Sequence, residues 1–300
     1  MSQAIVNSKC ALCQSADQAV YIPEFHLHSK RNILKCRNCG LVFIQDLPQD
    51  KLDDTYWDVK DSGEFTIYDD TRDEAENDFI KKLEVVDQLQ KHKGILLDVG
   101  CGTGNFLVIA NKDGWQVLGV EISHAAVEYV RKNFSFDIHE GPIENSKIAS
   151  ESLDVVTMWD VIEHIQNPNE TLVAVRRIIK KGGVLVVETP DQRSFFKIIC
   201  TFLYKLSRRK FSYLLNYVYY VPHYFFYNQI TLRKILEKHG FRVIRSDKDE
   251  TGYRFAVEKI KLHFGNKKIH MLVIFLLPVA FFLARLFRMQ NKMIVYAIKV

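Results

Sequence analysis

From residue 95 onward, short apolar runs of the kind that form buried strands alternate with longer segments whose apolar positions recur at helical spacing. Seven such runs can be distinguished: 95–100, 115–122, 136–141, 153–160, 183–190, 241–246 and 291–300. Strands that alternate with amphipathic helices predict βαβ units, in which a parallel sheet is covered by helices on both faces. We therefore expect an α/β fold built on a seven-stranded, mostly parallel sheet.

The chain divides into three regions by composition. Residues 1–45 contain four of the six cysteines, and residues 46–92 form an acidic linker that ends in a predicted helix. Residues 93–300 carry the alternating pattern. Within them we distinguish an aromatic and basic insertion at 192–227 and a helical segment at about 255–290 that suits a membrane interface.

Composition excludes some classes of protein and the distribution of charge suggests a partner. With 47% hydrophobic and 26% charged residues, the chain is neither disordered nor a disulfide scaffold. The net charge is +5, but residues 191–300 alone hold 21 Lys and Arg against 6 Asp and Glu, a net of +15. Such a basic third predicts an anionic partner, namely a membrane surface, a phosphate-bearing ligand or nucleic acid.

The first ten residues contain no apolar stretch, so we expect no secretory signal and a cytoplasmic location. In that reducing compartment the cysteines would be thiols or metal ligands. Four of them form two C-x2-C pairs separated by 22 residues: Cys10, Cys13, Cys36 and Cys39. Two such pairs can complete a tetrahedral site with four sulfur ligands, and four protein ligands leave no open position. We predict one structural zinc.

The segment after the first strand of the alternating region carries the sharpest chemical signal. An acidic residue there precedes three alternate glycines: Asp98, Gly100, Gly102 and Gly104. Glycines let the backbone turn tightly and let a ligand approach it closely. A dinucleotide fingerprint would need a further glycine at position 105, which is Asn105. The next strand ends in Glu121, whose carboxylate could accept hydrogen bonds from two ribose hydroxyls.

Together these features resemble the class I S-adenosylmethionine-dependent methyltransferases over roughly residues 95–300. The resemblance implies a Rossmann-like fold, in which Asp98 reaches the amino group of the cofactor's methionine and Glu121 holds the ribose. The three loop glycines would pack against the cofactor. The run Trp-Asp-Val-Ile-Glu-His at 159–164 is similar to that of a subgroup containing quinone and sugar methyltransferases, and adds Asp160 to the cofactor-binding residues.

Two histidines are candidates for catalysis. Transfer of a methyl group to a hydroxyl needs a base, and histidine suits that role near neutral pH. His164 follows the strand that ends at 159, and ligands of open α/β sheets bind at such strand ends. His223 lies in a Pro-x-His run that resembles one in methyltransferase relatives. The alternative for both is a packing role.

The C-terminal third has two unusual segments. Residues 195–227 include 13 Phe and Tyr with four Lys and Arg between 205 and 210, and residues 271–284 form an apolar run of 14. A membrane span needs about 20 such residues, so the run is too short for one. It could be a helix buried against the sheet or an amphipathic anchor lying in the membrane interface, and the basic charge favours the anchor.

These observations favour a methyltransferase acting on a membrane-proximal acceptor, either a small molecule or a lipid-linked one, at the inner face of the membrane. A zinc ribbon and a connector with Tyr56-Trp57 are similar to those of methyltransferases in bacterial cell-surface sugar pathways. A sugar or lipid-linked saccharide, methylated on oxygen or carbon, is thus the expected acceptor. The alternatives are a quinone-precursor O-methyltransferase, a ribosomal RNA methyltransferase and a non-catalytic zinc-ribbon docking protein. The run at 159–162 lacks the Pro-Pro-aromatic loop of many RNA methyltransferases.

Overall fold

Eleven strands are found in the residues that the computed structural model describes, which are 9–25, 31–45, 72–210, 212, 215, 218, 219, 223–264 and 268–300. In chain order they are β1 (Gln18–Phe25), β2 (Arg31–Cys36), β3 (Val42–Ile44), β4 (Ile95–Val99), β5 (Gln116–Glu121), β6 (Asp137–Glu140), β7 (Leu153–Trp159), β8 (Ile179–Pro190), β9 (Phe225–Phe226), β10 (Phe241–Asp249) and β11 (Lys292–Lys299). The expected connector at Tyr56-Trp57 lies outside the described residues.

Seven strands form the central sheet in the order β10-β11-β8-β7-β4-β5-β6. Strands β8, β7, β4, β5 and β6 run parallel to one another, whereas β11 is antiparallel to both of its neighbours. The predicted seven-stranded, mostly parallel sheet is therefore confirmed. The predicted terminal strand becomes β11, which is inserted between β10 and β8 rather than added at an edge.

Eight helices accompany these strands in the described part of the chain. They are α1 (Arg72–Leu89), α2 (Asn105–Lys112), α3 (His124–Asn133), α4 (Pro168–Ile178), α5 (Phe195–Leu206), α6 (Gln229–Lys238), α7 (Tyr253–Phe264) and α8 (Lys268–Leu286). Local sequence explains several of their starts. Ser123 caps α3 by accepting a hydrogen bond from the Ala126 amide, and Asn228 and Thr231 form a capping box at α6.

Alternate residues of the central strands pack into two separate cores. In β4, Leu97 and Val99 join the core that contains α4 and α6, while Leu96 joins the core that contains α1, α2 and α3. Because successive strand residues point to opposite faces, the two cores lie on opposite faces of the sheet. Helices thus cover both faces, as the burial of successive residues along the middle of β7 also indicates.

A second sheet links the N-terminal region to the insertion at 192–227. Its four strands have the order β1-β2-β3-β9, and β9 belongs to the insertion. Val42 pairs with Phe226 and Phe43 with Phe225 in antiparallel register. The N-terminal cysteine region and the insertion are consequently joined by backbone hydrogen bonds.

Candidate functional site

The loop between β4 and α2 has a backbone that requires glycine. Gly100 has a φ of +71°, and a Cβ added there would lie 2.6 Å from Cγ2 of Val161. Gly104 caps α2 with a φ of +82°. A Cβ at Gly102 would meet nothing within 4 Å, so the loop faces open space at that point. The loop is thus confined at Gly100 and Gly104 and open at Gly102, so that a ligand could lie against its backbone there. We call this loop the cofactor cradle.

Asp98 lies at the start of this loop and is 2% exposed. The Thr157 hydroxyl donates a hydrogen bond of 2.6 Å to its Oδ1. Burial raises the pKa of Asp98 to about 8, with the nearby Glu121 charge adding to the effect and the Thr157 hydrogen bond opposing it. Among the residues that the structure describes, no Lys, Arg or His forms an ion pair with this carboxyl. The site therefore suits a ligand that brings its own positive charge.

Glu121 connects the end of β5 to the glycine loop. Its Oε2 accepts a hydrogen bond of 2.8 Å from the Gly102 amide, and its Oε1 accepts hydrogen bonds from the amides of Ile122 and Ser123 at 2.8 and 2.9 Å. The sequence suggested a ribose contact for this side chain but gave no indication that it also fixes the loop. A carboxylate held by three amides is rigidly oriented, which favours binding of a second group.

These residues fit the S-adenosylmethionine that the sequence resemblance implies. A buried carboxyl without a cation matches the amino group of that cofactor, and the open side of the loop at Gly102 leaves room for it. Asp98, the loop glycines and Glu121 would hold the methionine and ribose parts.

Asp160 occupies a different environment from Asp98. It has a φ of +53°, and its carboxylate pairs with Lys292, which also contacts Glu188 at 2.7 Å. Although burial lowers the pKa of Lys292, these two carboxylates hold it well above its usual value. Lys82 of α1 contacts the other oxygen of Glu188. Asp160 is thus part of a network of charges that ties α1 and β11 to the ends of β7 and β8.

The structure brings the two candidate histidines together. The rings of His164 and His223 lie 4.6 Å apart between centroids, at an angle of 79°. Glu163 joins them: one ligand atom from each of the three residues lies within 4.8 Å of the others. The Tyr224 amide donates a hydrogen bond of 2.7 Å to the Glu163 carbonyl, which fixes the two segments against each other. This donor set could also hold a divalent metal ion.

Glu163 stands next to His164 in the sequence, where we expect a polar neighbour rather than a base. It is 1% exposed, and its Oε2 accepts a hydrogen bond of 2.8 Å from the Thr189 hydroxyl. Burial, together with the Asp160 charge, raises the pKa of Glu163 to about 8. Burial and the neighbouring His164 lower the pKa of His223 well below its usual value. A neutral imidazole of this kind can accept a proton or a hydrogen bond.

The histidine pair and the glycine loop lie at the same edge of the sheet. Val161, whose methyl group limits the space at Gly100, lies three residues before His164. In an open parallel sheet this edge, at the carboxyl ends of the strands, is where ligands bind. A glycine loop that could hold a cofactor and two histidines that could accept a proton thus lie in one region, which is the arrangement that group transfer to a protic acceptor requires.

The four N-terminal cysteines also converge. Sγ of Cys10 lies 3.5 Å from that of Cys39, Sγ of Cys13 lies 3.5 Å from that of Cys36, and all four sulfurs are within 4.8 Å of one another. In a tetrahedral zinc site with Zn–S bonds of about 2.3 Å, the sulfurs are about 3.8 Å apart. Four thiol donors at this spacing fit zinc. The site has no open position, so zinc there would be structural.

The cysteine loops are attached to the larger core. The Asn169 amide donates a hydrogen bond of 3.0 Å to the Ala11 carbonyl, and Nζ of Lys238 donates one of 3.2 Å to the Leu12 carbonyl. Cys10 and Cys36 pack in the same core cluster as Leu172 of α4. The cysteine region is therefore an integral part of the molecule rather than a separate body.

Comparison with known proteins supports the interpretation of the cofactor site. A family model described as "Methyltransferase domain" matches residues 69–246. A probable S-adenosylmethionine-dependent methyltransferase of Mycolicibacterium smegmatis is 30% identical over 124 residues, which cover 40% of this chain and 48% of the relative. The mitochondrial ubiquinone biosynthesis O-methyltransferase of Schizosaccharomyces pombe is 33% identical over 103 residues, covering 31% of this chain and 37% of the relative. The matched part is thus less than half the length of either relative.

Solved structures share the fold at low sequence identity. The [4+2]-cyclase SpnF has a TM-score of 0.50 at 16% identity, covering 73% of this chain and 80% of its own. A putative sarcosine dimethylglycine methyltransferase from Galdieria sulphuraria has a TM-score of 0.50 at 14% identity, covering 75% and 85%. These likenesses show the fold of the chain and leave its acceptor to be argued from its own residues.

Proposed function

Because the chain belongs to the methyltransferase domain family and has the fold of class I S-adenosylmethionine-dependent methyltransferases, we propose that it methylates an acceptor located at a membrane surface. The acceptor that its features favour is a sugar or lipid-linked saccharide, methylated on oxygen or carbon. One observation carries the proposal: a pair of histidines and a cofactor cradle at one edge of the sheet, beside an exposed apolar and basic face.

The chain's own residues divide the work. S-adenosylmethionine supplies a methyl group on a sulfonium sulfur. Asp98 binds the amino group of the cofactor, Glu121 binds its ribose, and the histidine pair faces the acceptor. As the acceptor oxygen forms its bond to the methyl carbon, the carbon–sulfur bond breaks and the sulfur becomes neutral. The hydroxyl proton passes to an imidazole nitrogen, with His164 as the preferred base and His223 as its partner.

The exposed face supports a membrane-proximal acceptor. The outer surfaces of α5 and α8, which contact each other, carry exposed large apolar side chains: Ile198, Phe202, Leu206, Met271, Leu272, Phe275, Leu276, Val279, Phe282 and Leu286. A patch of this kind on a globular protein is typical of an interaction surface. Exposed basic side chains lie in the last turn of α5 and directly after it: Lys205, Arg208, Arg209 and Lys210. Exposed apolar groups with basic groups close by along the chain match an anionic lipid surface.

No helix of the described residues is long and apolar enough to cross a bilayer. The proposed contact is therefore one in which α5 and α8 lie along the lipid surface. In α8 a narrow stripe of Leu277, Phe281 and Ala284 is buried against the protein, and the exposed apolar side chains named above lie outside this stripe.

A quinone precursor is the second candidate acceptor. It is favoured by the similarity of residues in this chain to ubiquinone biosynthesis O-methyltransferases. A ribosomal RNA acceptor would use the same basic charge, and a docking protein would use only the ribbon and the exposed face. The buried, uncompensated Asp98 argues for a bound cofactor and against the docking role.

The experiment is transfer of a labelled methyl group. Lipid extracts and soluble extracts are incubated with the purified chain and methyl-labelled S-adenosylmethionine, and the labelled product is identified by mass spectrometry. We expect label in a saccharide-containing lipid. His164→Ala should lower the rate about 10²–10⁴-fold, as loss of a general base does, because His164 is the preferred acceptor of the hydroxyl proton.

His92→Ala is the matched control, since His92 is exposed and lies outside the site. It should leave the rate unchanged, and all variants should keep their affinity for S-adenosylhomocysteine. If label appears in RNA or in a quinone precursor alone, the acceptor is reassigned. If both His164→Ala and His223→Ala work at the wild-type rate, the histidine pair has no role in the proton transfer.

A further inference from the structure

Helix α5 has an inverted pattern of polar and apolar residues. Its buried residues are polar, namely Lys197, Thr201 and Tyr204, which recur at helical spacing. Its exposed surface is apolar, with Phe202 61% exposed and Leu206 67% exposed. A helix at a protein surface normally buries its apolar stripe and exposes its polar one. Contact with lipid would explain why the apolar residues of α5 are exposed. It does not explain why polar residues of the same helix are buried.

Lys197 is the most unusual member of that buried stripe. It is 5% exposed, and its Nζ has no hydrogen-bonding partner among the residues that the structure describes. Two aromatic rings receive the ammonium group instead: Tyr219 at 5.8 Å and Phe226 at 5.2 Å from their centroids. Burial lowers the pKa of Lys197 to about 8, against the opposing charges of Asp191 and Glu163. A buried ammonium without hydrogen bonds is costly unless a ligand compensates it.

Lys197 lies next to the histidine pair. The Phe226 ring, which the ammonium contacts, has its centroid 6.3 Å from that of His223. The charge of Lys197 contributes to the lowered pKa of His223, and the charge of Glu163 acts on Lys197. The ammonium therefore belongs to the acceptor side of the site rather than to the cofactor cradle.

Further buried polar atoms near Lys197 also have no hydrogen-bonding partner in the described part of the chain: Glu163 Oε1 and Gln192 Oε1. They come from the segments that meet at this point, since the Gln192 amide donates to the Tyr227 carbonyl at 2.7 Å and its side chain donates to the Tyr219 hydroxyl at 2.9 Å. Buried polar groups are nearly always paired in folded proteins. A concentration of unpaired ones in one place indicates a bound polar ligand.

We propose that Lys197 binds an oxyanion of the methyl acceptor, so that the acceptor is a hydroxyl-rich molecule bearing a phosphate or carboxylate close to the methylated position. The ammonium compensates the anion, while Gln192 Oε1 and Glu163 offer hydrogen-bonding positions for hydroxyl groups. This inference rests on the proposed function and narrows its acceptor class. The anion could be part of a free sugar phosphate or of a lipid phosphate whose chains lie along α5.

The test is binding of a phosphate monoester to the full chain saturated with S-adenosylhomocysteine. Glucose 1-phosphate is titrated in one arm, and vesicles of phosphatidylcholine with or without phosphatidic acid form the other, with binding followed by calorimetry. We expect saturable binding by the wild type and a roughly 10–100-fold loss in Lys197→Met, the range expected for a lost charge-assisted hydrogen bond. Lys112→Met, which alters an exposed lysine of α2 outside both this site and the basic face, should bind like the wild type.

Binding of glucose 1-phosphate indicates that the acceptor is a soluble molecule. Binding only to vesicles that contain phosphatidic acid indicates that it is carried by a lipid. Lys197→Met should also raise the Tm of the protein without ligand at pH 7, because it removes a buried charge that has no hydrogen bonds. Lys197→Gln serves as a second variant if Lys197→Met does not fold. Equal phosphate affinity in the wild type and in the Lys197 variants would overturn the inference. Failure to bind S-adenosylhomocysteine would instead count against the proposed function, and the titration can be repeated without it.

Discussion

At the scale of single residues, the chemistry of the site depends on ionisable side chains whose burial shifts their pKa away from its value in water. Asp98 is the clearest example, since its carboxyl is surrounded by the sheet and a hydroxyl donor but has no cation from the described residues. With a pKa of about 8, it is mostly protonated at neutral pH before a cofactor binds. Binding of an ammonium group favours the carboxylate and therefore lowers this pKa.

Cofactor affinity should consequently depend on pH. Since the free protein must lose a proton from Asp98 to pair with the amino group, affinity for S-adenosylhomocysteine should rise as pH increases from about 6 towards 8. The expected change is roughly tenfold per pH unit below the pKa. Calorimetry in buffers of different ionisation enthalpy should detect release of one proton at pH 7.

Asp98→Asn should bind more weakly and lose this pH dependence. Glu121→Gln is a matched control, because it weakens the ribose contact and the loop hydrogen bonds but leaves Asp98 in place. Its affinity should fall while the slope with pH stays. A wild type whose affinity is constant from pH 6 to 8 would contradict this role for Asp98.

At the scale of elements, β9 is the connection between the cysteine region and the histidine pair. It follows His223 by two residues and pairs with β3, and the Ile44 amide donates to the Tyr224 carbonyl at 3.0 Å. Strand β3 in turn pairs with β2, which ends at Cys36. A short two-residue strand has little stability of its own, so its position depends on this sheet.

Loss of zinc should therefore reduce catalysis without reducing cofactor binding. Cys36→Ser removes one of the four sulfur ligands, and we expect the metal content to fall from one per chain towards zero. The turnover rate should then drop while affinity for S-adenosylhomocysteine is retained, because β9 no longer holds His223 in place. Hydrogen exchange at the amides of Phe225 and Phe226 should become faster.

Cys200→Ser, which alters a thiol outside the cluster, should change none of these quantities. The proposed link would be wrong if the zinc-free protein kept slow exchange in β9. The zinc assignment itself would be wrong if the purified wild type contained no metal and its four thiols reacted freely with an alkylating reagent.

At the scale of the whole molecule, the apolar run in α8 is divided between protein and solvent. Phe281 is 7% exposed and packs on Phe196 and Tyr253, with ring centroids 5.5 and 6.0 Å away. The next residue, Phe282, is 64% exposed. The apolar run therefore forms a helix that is buried on one side and exposed on the other. This division is consistent with the proposed position of α8 along a lipid surface.

Replacing each phenylalanine by serine should give opposite results. Phe282→Ser should weaken binding to anionic liposomes with little change in Tm, because its ring contacts solvent or lipid. Phe281→Ser should lower stability by about 3–5 kcal/mol, the range for truncating a buried aromatic side chain. Sedimentation with liposomes at low and high salt, together with thermal unfolding, measures both effects.

Added salt should weaken liposome binding of the wild type, since part of the attraction is between basic side chains and anionic lipid. Neutral liposomes are the control and should bind less. A wild type that does not sediment with anionic liposomes at low salt would contradict the membrane proposal, and α5 and α8 would then need another partner.

The sequence alone predicted the seven strands of the large sheet and their mostly parallel arrangement, but not the position of β11 between β10 and β8. Strands that are buried on both faces are continuous apolar runs, and helices between them have one apolar face, so the alternation of β4 to α4 can be read locally. The glycine spacing after β4 and the two C-x2-C pairs were likewise readable, because close backbone approach and metal ligation require particular residue types at short spacing.

Only the tertiary structure decided which distant residues meet. The contact of His164 with His223, and the placement of Lys197 and Glu163 beside them, join segments that are separated along the chain by up to about 60 residues. The spacing of apolar residues in α5 does not predict that they are exposed. Such a pattern normally predicts burial of the apolar side, and it carries no information on which side of the helix the rest of the protein covers. That depends on the packing of α8, β9 and the cysteine sheet around it, which no local rule specifies.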